Sequence, residues 1–246
     1  MSAPAARSVI RELQALGTPA KAQASARFFK TAEGQYGYGD VFFGVTVPEQ
    51  RKVAKHNGAL PLMQVALLLE HDAHECRLTG LLILVEQYRK ADAAGRARIA
   101  RFYLAHKNRV NNWDLVDSSA PYILGHHLLT RDRSILHRLA RSKQLWDRRI
   151  GIIATQAFIR EGQFDDTLAL ATLLLADRHD LIHKAVGWML REVGDRSREA
   201  EERFLKQYAP VMPRTMLRYA IEKLPEADRR RYLRLARPVP TLRPRS

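Results

Sequence analysis

The sequence predicts an all-α fold, a right-handed α-solenoid of antiparallel helix pairs, and three observations carry that reading. Apolar residues recur at spacings of three and four along almost the whole chain. The breaks between the resulting segments are only a few polar residues long, as at Lys107-Asn108-Arg109 and Glu161-Gly162-Gln163. No stretch alternates apolar and polar residues with the period of two that a half-buried strand needs. Helices joined so tightly must double back on one another. Pairs returning every ~35–45 residues mark HEAT-like repeats, each burying its apolar face against its neighbours. The expected organisation is one array over residues 1–237 with a concave basic face, followed by a basic tail at 238–246.

Taken in order, Val9, Ile10, Leu13 and Leu16 mark a first amphipathic helix, which Gly17 ends. A second, around 21–30, is expected to turn Ala26 and Phe29 inward. The stretch from Gly34 to Gly44 is the one irregular piece of the N-terminal half. Its glycines lack the spacing of a nucleotide-binding loop and no strand precedes them, so a packed aromatic loop is expected. Helix restarts at Val47-Pro48-Glu49-Gln50-Arg51 with proline at its start. From there helical segments are expected near 61–70, 75–90, 93–106, 112–128, 133–141 and 146–160. Further ones follow near 164–176, 180–193, 197–208, 212–224 and 226–236.

Composition narrows the partners. Of 246 residues, 46% are hydrophobic, enough for a sizeable core, and 41 lysines and arginines against 26 acids leave a formal net charge of +15. Such an excess points to a polyanion, with nucleic acid ahead of an anionic membrane. Part of it is the cluster Arg229, Arg230, Arg231, Arg234, Arg237, Arg243 and Arg245. The bias continues at Arg148, Arg149, Lys184, Arg191, Arg214 and Arg218, so a tail alone does not account for it. Cys76 is the only cysteine, which precludes an internal disulfide and fits a reducing compartment. The run Leu78 to Val85 is too short to span a bilayer. A soluble, cytoplasmic protein is expected.

Five constellations bear on chemistry. In Asn111-Asn112-Trp113-Asp114-Leu115-Val116-Asp117 an asparagine can cap the first free N–H groups of a helix. Trp113 and Asp117, four apart, then share one face, and an aromatic face beside an anion can receive developing positive charge. Packing for the tryptophan and dipole complementation for the aspartates are the plainer alternatives. In Asp180 to Glu192, the residues Lys184, Trp188 and Arg191 share a face opposite Ile182, Val186, Met189 and Val193. Such a face can grip phosphates, or hold a half-buried ring with the two cations snorkelling past it. Gly187 lets a backbone or a ligand come close. Trp146-Asp147-Arg148-Arg149 opens another helix, from which Arg148 or Arg149 would point to the groove. Arg214 and Arg218 stack one turn apart, with Glu222 placed for an ion pair to Arg218. His71, His74 and Cys76 are compact, but no second cluster completes a zinc site, and a corner with solvated histidines and a core thiol is the expectation.

Together these segments resemble the AlkD-type DNA alkylation repair family, the HEAT-like-repeat DNA glycosylases. The likeness is carried by Asn112 to Asp117, Trp146-Asp147-Arg148-Arg149 and Lys184 to Glu192. Phe43-Gly44-Val45 with Val47 to Arg51, and Pro213-Arg214 with Leu217 to Glu222, extend it over nearly the whole chain. The resemblance implies a monofunctional enzyme that hydrolyses the N-glycosidic bond of cationic N3- or N7-alkylpurines in duplex DNA without extruding the base. It assigns Trp113 and Trp188 to the deoxyribose, Asp117 to catalysis, Arg149 rather than Arg148 to the catalytic site, and Arg191 to a phosphate. Lys184, Arg148, Arg214 and Arg218 are the further DNA-binding candidates. One departure is visible: Ala26-Arg27-Phe28 has phenylalanine where some members have tyrosine. A phenol contact to DNA is thus lost or supplied elsewhere, with Tyr36 and Tyr38 as candidates.

The implied chemistry suits these side chains. An alkylated purine already carries positive charge, so it leaves without a general acid. Asp117 can stabilise the oxocarbenium ion and orient water, and no metal or organic cofactor is required. A single copy acting on the nucleoid of a bacterial cytoplasm is the expected setting. Three rivals stand beside this reading. One is a catalytically inactive HEAT-like-repeat DNA-binding protein, another a protein scaffold, and the third a glycosylase/lyase using Lys184 as a Schiff base.

Overall fold

The computed structural model describes residues 5–235, and every β-strand is absent from them, a lone bridge between Val41 and Ala73 excepted. The chain is all-α. It divides into two compact units, with the break between His127 and Leu128. In each unit helices pack chiefly on their neighbours in sequence, the packing rule of an α-solenoid.

The first unit holds α1 (Ala6–Leu16), α2 (Pro19–Phe28), α3 (Val47–His56), α4 (Leu62–Leu69), α5 (His74–Lys90), α6 (Ala93–Ala105) and the short α7 (Trp113–Asp117). Helix α5 is its centre. It is buried on nearly every side from His74 to Val85, and α1, α3, α4, α6 and α7 all pack on it. Caps start the helices where the sequence allows. Thr46 and Glu49 form a capping box at α3, and Asp92 accepts from the Gly95 N–H at α6. Helix α2 corrects an expectation. None of its residues is buried, and Ala26 and Phe29 are only half-buried, so this helix contributes a surface rather than core.

The second unit holds α8 (Ser134–Ala140), α9 (Leu145–Ala154), α10 (Gln156–Arg160), α11 (Asp165–Leu173), α12 (Asp180–Arg196), α13 (Arg198–Tyr208), α14 (Arg214–Ala220) and α15 (Glu226–Leu235). Here α12 is the centre, touching α9, α10, α11, α13 and α14. Its closest partner is α14. A Cβ on Gly187 would lie 2.4 Å from the Met216 carbonyl oxygen, so only glycine permits that approach. The alternative of a ligand at Gly187 is thereby replaced by a helix backbone.

Two helices expected to be continuous are broken, each for a local reason. The segment near 112–128 stops at Asp117, because the Ser119 hydroxyl takes the Leu115 carbonyl at 2.6 Å and Pro121 has no N–H to continue the ladder. It resumes as one π turn over Pro121–Gly125, closed by Gly125 N–H to Ala120 O at 2.9 Å. The segment near 146–160 breaks at Thr155, whose hydroxyl and N–H both turn back to the Ile152 carbonyl. The arginines at 237, 243 and 245, and the expected tail at 238–246, lie outside the described residues.

Candidate active site

In the first unit the residue before Trp113 sets the geometry. The Asn112 side chain accepts from the Trp113 N–H at 2.8 Å and so caps α7, while its amide donates to Asp40 at 3.1 Å. Trp113 opens the helix and Asp117 closes it, both half-buried. One face of the indole is covered by Phe29, stacked at 5.5 Å and 25°, and Phe28 meets it edge-on at 5.8 Å. Phe28 is itself 64% exposed, so the residue that replaces a tyrosine presents its ring to solvent beside Trp113. Tyr38 is also exposed, whereas Tyr36 is half-buried. Asp117 lies near the buried phenol of Tyr103. That phenol is pushed up by burial, opposed by its hydrogen bond with Ser119, and pushed further by the charge of Asp117.

Beneath this turn lies a buried ionic network. His74 is 2% exposed; its Nδ1 donates to Asp40 at 3.1 Å and its Nε2 to Asp114 at 2.8 Å. Burial on its own would push the imidazole down. The charge and hydrogen bond of Asp114 and the hydrogen bond of Asp40 outweigh burial and the repulsion of Arg77, and raise it to about 9. His74 is therefore a cation at neutral pH. Asp40 is held below the usual carboxylate range: burial opposes this, but His74, the Arg77 guanidinium and the Asn112 amide together prevail. Arg77, equally buried, also ties the His71 and Asp72 carbonyls. Glu75 adds the next layer, accepting the N–H groups of Phe43, Gly44 and Val45 within 2.8–3.2 Å. Gly44, at φ +84°, makes that turn possible.

The histidine corner was thus expected to be solvated, and instead it is buried and ionic. The reason is that its carboxylate partners lie 34 and 40 residues away in the chain. His71 does not join it, since its Nδ1 accepts the Ala73 N–H. No three ligating side chains converge on a metal position among the described residues. Cys76 is fully buried; burial and the charge of Glu75 push its thiol up to about 12, despite Arg77, which leaves it inert.

In the second unit the face of α12 is as the spacing predicts: Ile182, Val186, Met189 and Val193 are buried, and Lys184, Trp188 and Arg191 are half-exposed on the other side. Each of these three has a partner. The Trp188 Nε1–H donates to Glu192 at 2.9 Å, Lys184 pairs with Asp180 at 2.8 Å, and Arg191 pairs with Glu222. Glu222 therefore serves α12 rather than Arg218. Arg148 is fastened to Asp177 at 2.6 Å and to the carbonyls of Ser142 and Lys143. Arg149 is 5% exposed and donates to the Leu181 carbonyl at 2.6 Å, which joins α9 to the start of α12. Arg214 donates to the Leu233 carbonyl. Arg218 is exposed and has no ion pair with any described residue.

A family model described as DNA alkylation repair enzyme matches residues 9–224. The chain belongs to that family. A solved structure described as a predicted DNA alkylation repair enzyme from Enterococcus faecalis shares the fold. Its TM-score is 0.69 at 17% identity, and the match covers 85% of this chain and 97% of that one. No curated protein matches. Membership in a DNA alkylation repair family gives the excess of positive charge a substrate, since DNA is the polyanion on which alkylation repair acts. Among the described residues no helix is long and apolar enough to cross a membrane.

Within this family reading, the sequence named Trp113, Asp117 and the outer face of α12, and missed the buried network beneath α7. Asp40 and Glu75 were given no role, His74 was weighed only as a metal ligand, and Asp114 only as part of the Asn112–Asp117 motif. The one available signal was Asp114 itself, a second carboxylate inside the Asn112–Asp117 motif that Asp117 left without a task.

Proposed function

We propose that the chain is a monofunctional DNA glycosylase that hydrolyses the N-glycosidic bond of cationic N3- or N7-alkylpurines in duplex DNA. The reading retains the AlkD-type assignment: a single HEAT-like array, acting as one copy and without base extrusion. One observation carries it. A tryptophan and a carboxylate share a one-turn helix, and that helix is fixed from below by a buried ionic network rather than by the catalytic residues themselves.

The C1′–N9 bond breaks and its electron pair leaves with the purine, which becomes neutral. The sugar is left as an oxocarbenium ion. The carboxylate of Asp117 lowers the energy of that cation and orients a water toward C1′, taking its proton as the C1′–O bond forms. The electron-rich face of Trp113 adds a cation–π contribution. Trp188 and Arg149 keep the roles that the resemblance gives them, a deoxyribose contact and a place at the catalytic site. Lys184, Arg191, Arg214 and Arg218 remain phosphate contacts in this reading, whereas Arg148, fastened to Asp177, would reach a phosphate only on leaving that carboxylate. Lys184 and Arg191 would exchange an exposed carboxylate for a phosphate, an exchange between weak surface pairs.

The test is a time course of free-base release from duplex DNA bearing 7-methylguanine or 3-methyladenine. Release of the alkylated base, leaving an abasic site and an intact strand, is the expected result. Salt-sensitive binding without release would instead establish the silent DNA-binding protein. Trapping of the chain on DNA by borohydride would establish the lyase.

A further inference from the structure

The first unit carries cations that none of the site assignments uses. Arg51 and Lys55 lie one turn apart on α3, and Arg89 stands across from them near the end of α5. All three are exposed, and they line a single cleft of about 380 Å³. Its one lining carboxylate, Glu86, is already paired with Arg89 at 2.8 Å. Arg51 and Lys55 have no carboxylate partner among the described residues, so two like charges repel on one helix face. The floor between them is apolar, made by the buried side chains of Leu82 and Val85. At its edge stands Ser118, the residue that follows Asp117.

We propose that this cleft seats the sugar–phosphate backbone of the duplex, with Arg51 and Lys55 on phosphates and a deoxyribose over Leu82 and Val85. The inference rests on duplex DNA being the substrate. It adds a grip in the first unit to a set of phosphate contacts that otherwise comes only from the second. Cations above an apolar floor match a chain of alternating charge and sugar, and a sequence-independent hold is what a repair enzyme needs.

The test compares Arg51→Gln/Lys55→Gln with the wild-type chain in binding to unmodified duplex DNA across a salt series. Losing two phosphate contacts should make the slope of log K against log salt shallower by about 1.8. A control pair, Arg7→Gln/Arg11→Gln, removes the same charge from the exposed side of α1 and should leave the slope alone. An unchanged slope in the cleft variant, while the wild type still releases base, overturns the cleft and leaves the glycosylase reading standing. An equal change in the control pair overturns it too, because net charge would then set binding. A wild-type chain without salt-dependent DNA affinity overturns both.

Discussion

Around Trp113 the charges lie buried behind the functional face, whereas around Trp188 they lie on it. His74, Asp40, Asp114 and Arg77 are enclosed beneath α7, and each satisfies another. Lys184, Arg191 and Glu192 stand beside Trp188 at the surface and pair with exposed carboxylates or with the ring N–H itself. A buried network is costly to break and so fixes geometry, while surface pairs contribute little and exchange readily. The two arrangements suit different tasks. Chemistry at a sugar carbon needs a carboxylate that does not move, and gripping a backbone needs cations that can change partner.

The sharpest way to break this comparison is to remove the fixed carboxylate. Asp117→Asn should lower single-turnover release of 7-methylguanine by about 100-fold or more, the scale of a lost electrostatic stabiliser, with duplex affinity within about twofold. Equal rates for variant and wild type would take Asp117 out of the chemistry.

The next largest effect concerns the support. His74→Gln leaves the buried Asp114 without its cation and Asp40 with Arg77 alone, and should cost about 3 kcal/mol in urea unfolding. A pH series sharpens it. The folded imidazole titrates near 9 and the unfolded one near 6.5, so the folded state holds a proton that the unfolded chain has lost between those values. The stability from His74 is therefore complete below 6.5 and lost as pH rises to about 9, at up to about 1.4 kcal/mol per unit. The second unit has its own alkaline loss at Glu201, which burial pushes up to about 8, with Asp195 and Glu202 adding to it against Arg198. Its neutral form is favoured in the fold, so stability from this group fades from 4.5 to about 8. The His74 variant should remove the slope between 8 and 9 and keep the one below 6.5. A slope between 8 and 9 that survives the substitution would mean that His74 is not the cation holding the turn.

The same contrast explains what could be read from the sequence. Helix periods are local, so the face of α12 was legible down to which residues are buried. The break at Thr155 was not, because one hydroxyl turning back to a carbonyl leaves the apolar spacing unaltered. Trp113 and Asp117 were legible because they are close in sequence. Their support was not, since His74 meets Asp40 and Asp114 only through tertiary structure. Net charge pointed to a polyanion, yet it could not say which arginines are spoken for. Arg148 and Arg149 look alike in sequence and are both engaged, one by Asp177 and one by a carbonyl of α12.

That engagement yields a smaller contrast within the second unit. Arg148→Gln strands Asp177, which is mostly buried, and should cost about 2 kcal/mol of stability with a small effect on the salt slope. Arg218→Gln removes an exposed cation with no ion pair among the described residues and should do the opposite, leaving stability within about 0.5 kcal/mol while making the slope shallower by about 0.9. Calorimetry and a binding titration on the two variants separate the roles. If Arg148→Gln flattens the slope as much as Arg218→Gln does, its pairing with Asp177 gives way to phosphate.

The smallest expected effect distinguishes the ring of Trp188 from its polar handle. Trp188→Phe keeps an aromatic face and loses the hydrogen bond to Glu192, a half-exposed contact contributing about 0.5–1 kcal/mol. Base release should then fall about threefold. Trp188→Ala removes the face as well and should lower release about tenfold or more, because an electron-rich ring near a cationic sugar acts through its π-system. The order tryptophan, phenylalanine, alanine is what a ring contact demands. If phenylalanine is as poor as alanine, the indole serves chiefly to hold Glu192 away from Arg191, and the face of α12 grips phosphate without touching the sugar.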